Sequence, residues 1–145
     1  AMYQQGELPT SVRIITDKDN FVKLFFQTID EANESCWLGS AKDFIGFISW
    51  SEEKRWIAER VKRGVRVRVL LLPSEEAEGF KNNADKELRE VRILENAEPF
   101  ETLYQVFANK GIMWQPKTPV AVVIVDEYLA KMMKSLFEIL WKISQ

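Results

Sequence analysis

The stretch from Glu59 to Leu71, ERVKRGVRVRVLL, sets the fold class. Arg60, Lys62 and Arg63 suit the last turn of a helix, where the macrodipole leaves partial negative charge. Gly64 follows at the position that favours a left-handed backbone just past a helix end. From Val65 to Leu72 the chain becomes β-branched and then wholly apolar, and Pro73 stops it. Such a run fits a strand covered on both faces by helices. Working back, Ser51 can cap the helix, with Glu52 and Glu53 in its first turn. Helix, glycine and buried strand together are the second half of a strand–helix–strand unit.

The chain upstream supplies the first half. Val12 to Thr16 reads as a short strand, and Asp17 to Asn20 offers caps for a helix whose apolar residues Phe21, Leu24, Phe25, Thr28, Ile29 and Ala32 recur at helical spacing. Cys36 to Gly39 is a second strand. Strand, helix, strand, helix, strand predicts crossovers that build a parallel sheet with helices on its faces. Downstream, Ser74 to Lys86 holds a short helix and Val91 to Leu94 a brief strand. Thr102 to Phe107 and Ile112 to Trp114 flank the turn Ala108-Asn109-Lys110-Gly111, which predicts a hairpin. Val120 to Val125 is an apolar strand, and Asp126 caps a final helix with the stripe Leu129, Met132, Met133, Leu136, Phe137, Leu140 and Ile143.

Composition restricts the chemistry. At 145 residues the chain is one domain, and 46% hydrophobic with 29% charged residues is the balance of an ordered globular protein. There is no histidine, so Ser-His-Asp and Cys-His catalysis, histidine-ligated zinc and histidine pH switches are excluded within the domain. Cys36 is the single cysteine, which rules out an internal disulfide and fits a reducing cytoplasm. No cofactor is expected. The longest apolar run, Val120 to Val125, is too short to span a bilayer, and the start lacks the pattern of a secretory signal. Residues 1–11 read as a tag remnant and leader, residues 12–145 as the domain.

Two charged windows stand out from a net charge of −2. Lys54 to Arg68 holds seven cations against Glu59 alone, either a nucleic-acid contact surface or a solvated helix and strand edge; the second reading is favoured because no aromatic platform accompanies the charge. Glu75 to Glu101 holds nine acids against four cations. Of the five tryptophans, Trp37, Trp114 and Trp141 are expected to be buried, and Trp50 is the freest for stacking on a ligand.

Three phrases, Glu59 to Leu71, LREVRIL at Leu88 to Leu94, and Val122-Val123-Ile124 with Phe137-Glu138-Ile139-Leu140-Trp141, resemble in order and spacing the phospholipase D-like domain of TrmB-type transcription regulators. The resemblance covers Val12 to Ile143. It implies an α/β fold: a phospholipase D-like mixed sheet with a parallel βαβαβ first half, helices on both faces and a long C-terminal helix. Active phospholipase D-like enzymes carry H-x-K-x4-D; the matching positions here are Thr102, Tyr104 and Asn109, so the resemblance implies a domain that is not an enzyme by that mechanism. It also implies a ligand-sensing and dimerisation domain of a transcription regulator. Ser40, Thr102, Tyr104, Asn109 and Lys110 would line the former catalytic crevice and bind an unknown small-molecule effector. The partner would be a second copy, with DNA reached only through a tethered winged-helix domain from which this chain was excised, in the cytoplasm and without membrane contact. The alternatives are a metal-dependent phosphodiesterase or nuclease using carboxylates, and a purely structural dimerisation module.

Overall fold

The computed structural model describes residues 10–144. Most of the segment read as tag remnant and leader, residues 1–9, lies outside the described residues; Ser11 already belongs to the first strand. The elements are β1 (Ser11–Thr16), α1 (Lys18–Glu31), β2 (Glu34–Gly39), α2 (Ala41–Ile48), α3 (Trp50–Lys62), β3 (Arg66–Leu71), α4 (Glu75–Asn82), β4 (Arg89–Ile93), β5 (Leu103–Phe107), β6 (Lys110–Gln115), β7 (Val120–Val125) and α5 (Glu127–Lys142). The strands form one mixed sheet in the order β1-β7-β6-β5-β2-β3-β4.

β2, β3 and β4 are a parallel βαβαβ unit, and β5, β6 and β7 an antiparallel meander beside it. β1 runs in the same direction as β2 and β3, as expected, but it lies at the far edge, antiparallel to β7. The reason is local: the apolar strand Val120–Val125 needs a neighbour on its outer side, and β1 matches it residue for residue from Ser11↔Val125 to Thr16↔Val120. The hairpin turn is tighter than the four residues read from sequence. Phe107 pairs with Lys110, and Ala108 takes φ 48° to close it.

Alternate residues of β2, β3 and β5 serve two cores. One face packs α1 to α4 over an aromatic interior in which Phe25 stacks on Trp56 and Trp37 on Trp114, with ring centroids 4.6 and 6.0 Å apart. The other face carries Cys36, Leu38, Leu70 and Val106 under Ala130, Met133 and Phe137 of α5. Trp37 and Trp114 are buried as expected; Trp141 is half-buried beneath Arg68 and Arg92, and Trp50 is exposed with its ring edge against Phe80. Among the described residues no helix is long and apolar enough to cross a membrane.

The helix read as capped by Ser51 is α3, and its cap is Ser49 instead, because a second helix, α2, runs up to it. α2 ends at Ser49 (φ 83°), whose side chain then caps α3 by accepting from the Glu52 N–H. The Arg-rich stretch is mostly a solvated face, as favoured from sequence, with Lys54, Arg55, Lys62, Arg63 and Arg66 exposed, but two of its arginines turn inward. Arg60 is fully buried and donates to the carbonyls of Val65, Leu88 and Glu87 at 2.8, 3.3 and 2.6 Å, closing the loop before β4. Arg68 crosses to Glu138 on α5 at 2.5 Å, and Arg63 pairs with Asp30 and Glu59. From the acidic window, Arg89 pairs with Glu53 in the aromatic core. Part of a cation run in sequence therefore serves as intramolecular clasps, through Arg60, Arg63 and Arg68.

Candidate functional site

The candidate site lies at the edge of the sheet formed by the carboxyl ends of β2 and β3 and the start of β5. Gly39 ends β2 with φ 142°, and a Cβ there would collide with the Thr102 carbonyl. That close approach brings the next residue into contact, so that the Ser40 N–H donates to the Thr102 carbonyl at 3.0 Å. Ser40 then turns the chain into α2: its hydroxyl accepts from the Asp43 N–H at 3.2 Å and donates to the Asp43 carboxylate. Lys117, in the turn between β6 and β7, reaches that carboxylate at 3.5 Å. Ser40 is buried and Thr102 exposed, so the lip offers the Thr102 hydroxyl, Asp43 and Lys117 to solvent.

Thr102 immediately precedes β5, and Tyr104, two residues on, faces the side of the sheet that carries α5. The Tyr104 hydroxyl donates to the Met133 carbonyl at 3.0 Å, which ties β5 to the middle of α5. Burial, and then the neighbouring Cys36, push the phenol up to about 12, so it remains a proton donor throughout the physiological range. Arg68 lies on the same face, held as a cation by its hydrogen bond to Glu138.

Of the five residues expected to share one crevice, the fold joins Ser40, Thr102 and Tyr104 and separates the other two. Asn109 lies in the turn at the opposite end of β5, where its carbonyl accepts from the Asp126 N–H at 2.9 Å. At about 3.4 Å per residue the length of β5 puts it some 20 Å from Thr102. Lys110 begins β6 at that far end and pairs with Glu31 of α1. Asp43 and Lys117 were not singled out by sequence. Asp43 had a signal, Ser40 three residues before it, which is a capping pattern; Lys117 had none, because its position depends on the β6–β7 turn folding back over α2. Among the described residues no three acids and cysteines gather to hold a metal ion.

No protein-family model and no curated protein matches the chain. Solved structures do. TrmBL2, an archaeal chromatin protein with a novel mode of DNA binding, matches with TM-score 0.62 and 18% identity over 93% of this chain and 54% of that one. This chain thus spans about half the length of that neighbour. NucT from Helicobacter pylori matches with TM-score 0.66 and 12% identity over 93% of this chain and 98% of that one. The second likeness corrects the expectation that the domain is not an enzyme: NucT is a nuclease, and the fold shared with it carries no argument against catalysis. At such identities the likenesses establish architecture, and the architecture is the phospholipase D-like α/β fold, with its mixed seven-stranded sheet and long C-terminal helix.

Proposed function

We propose that this domain is the sensing and pairing unit of a DNA-associated regulator, taking a small polar effector at the Ser40–Thr102 lip and passing its presence to α5. The observation that carries the reading is the Tyr104 hydroxyl on the Met133 carbonyl. A ligand bonded to Thr102 sits two residues from a side chain that hydrogen-bonds β5 to the middle of that helix, so it can favour one seating of α5 over another. The likeness to TrmBL2 supports the DNA-associated setting. DNA contact belongs to a tethered segment in this reading, and three of the arginines that could have met it, Arg60, Arg63 and Arg68, are paired within the domain.

A thermal-shift screen against sugars, sugar phosphates and nucleotides tests it. A ligand at a hundredfold over its dissociation constant raises stability by about 2.7 kcal/mol. The expected result is a saturable shift with one chemical class that Thr102→Ala abolishes and Asn109→Ala leaves intact. A shift indifferent to Thr102→Ala, or none across the panel, rejects the lip as an effector site. A second reading, hydrolysis of a phosphodiester, is favoured by the fold shared with NucT. Turnover of bis(p-nitrophenyl) phosphate with magnesium, manganese or calcium, lost on Thr102→Ala, would support it.

A further inference from the structure

The side of the molecule that carries α5 is only half covered. α5 passes so close over β6 that a Cβ on Gly111 would meet the Met133 sulfur. Beyond it the same face of β6, β7 and β1 is bare. The register lines up Tyr104, Met113, Val122 and Ile14 in one row across four strands, and Ile14 at the end of that row is 67% exposed.

The helix beside that bare face is apolar on two sides. Ala130, Met133 and Phe137 are buried against the sheet. Leu129, Met132, Leu136, Ile139 and Ile143 are exposed, Ile139 by 59% and Ile143 by 73%. Their spacing of three, four, three and four residues is the a/d repeat of a coiled-coil seam, and no charged residue interrupts it. Four of the five charges of α5, Glu127, Lys131, Lys134 and Glu138, lie on the opposite flank, where Glu138 meets Arg68, and Lys142 lies at the seam's outer margin. Among the described residues ten large hydrophobics are exposed, and all but Trp50 belong to this seam, its neighbour Tyr128 or the bare strand face.

We infer that this surface binds a second copy of the chain, with the two α5 helices crossing antiparallel about a two-fold axis at Leu136. The inference rests on the pairing part of the function proposed above and assigns it a surface. The seam is its own complement: a two-fold at Leu136 sets Leu129 against Ile143 of the second copy and Met132 against Ile139. Along the outer margin the same operation puts Lys142 beside Tyr128 and Ser135 beside Ser135, so no like charges meet. The nine exposed side chains present roughly 900 Å² of surface, against the roughly 800 Å² per partner of a standard interface. Contiguous apolar surface of that extent is uncommon on a monomer and marks an association site.

Sedimentation velocity on the full chain, from low micromolar to 100 μM, tests the inference without any effector. The expected species has twice the 16.9 kDa chain mass. Leu136→Glu, at a half-exposed position, should keep the wild-type circular dichroism and weaken association by about 100-fold or more. Leu136→Cys should give a disulfide-linked dimer on mild oxidation, whereas Lys23→Cys on α1 should not. A monomer at every concentration, or a dimer untouched by Leu136→Glu, overturns the inference. If the wild type is monomeric and deletion of residues 1–9 makes it dimerise, the chain's own leader covers the seam and the inference also fails. A ligand shift at Thr102 with no dimer would reject this surface and leave the effector site standing; a dimer with no ligand shift would do the reverse.

Discussion

Arg60 is the clearest case of one side chain whose meaning depends on its surroundings. In sequence it belongs to a run of cations, and folded it is fully buried, with three carbonyl oxygens around it. Burial, followed by the repulsion of Arg89, pulls its pKa down to about 10, which still leaves it charged at neutral pH. Arg60→Ala should lower stability by about 3 kcal/mol, because the carbonyls lose charged donors they cannot replace with water. Urea unfolding checks this, with the exposed Lys62→Ala expected within about 0.5 kcal/mol of wild type. Two carboxylates make a pH prediction at the same scale. Asp126 is held below its ordinary 3.8 by bonds from Thr10 and the Leu129 and Tyr128 N–H groups, and Glu138 below its ordinary 4.5 chiefly by Arg68. Both pKa values are depressed in the folded state, so their stabilisation is present above the ordinary values and lost as pH falls through the lower folded ones. Both groups anchor α5. The melting temperature should therefore drop below about pH 4.5, and the double variant Asp126→Asn, Glu138→Gln should show a flatter acid limb.

Elements meet closely at two glycines, and the two should not behave alike. At Gly39 a methyl group would strike the backbone of Thr102 at a φ of 142°. At Gly111 it would strike only the flexible end of Met133. Gly39→Ala should cost several kcal/mol and open the β2–β5 lip, whereas Gly111→Ala should cost about 1 kcal/mol as Met133 adopts another rotamer. Equal melting temperatures for the two variants would contradict this account. Most elements were legible from periodicity and caps. β7 and α5 were read almost to the residue, because an unbroken apolar, mostly β-branched run and an Asp cap before an apolar stripe admit few alternatives. α2 was not read: Ala41–Ile48 is eight residues long and mostly apolar, too short for a period to emerge. The stripe on α5 was read as one face, and its division into a buried line and an exposed seam appears only once the sheet beneath is in place.

For the whole molecule, α5 is the lid on the second core. A chain ending before Asp126 would expose Cys36, Leu38, Leu70 and Val106, and it should bind a hydrophobic dye and lose its cooperative melt. A truncated chain that melts as wild type would show that α5 is an appendage. The sequence by itself determined the α/β class, the direction of the early strands, the Asp17 and Asp126 caps, and the exclusion of histidine chemistry, since these follow from residue type and local spacing. Three matters were decided only by tertiary structure. β1 crosses to the far edge because β7 offers a matching partner, Asn109 and Lys110 part from Thr102 because a strand's length separates them, and Arg60 and Arg68 of the Arg-rich run turn inward because distant carbonyls and a carboxylate meet them there. Each depends on which residues far apart in the chain become neighbours, and local spacing carries no information about that choice.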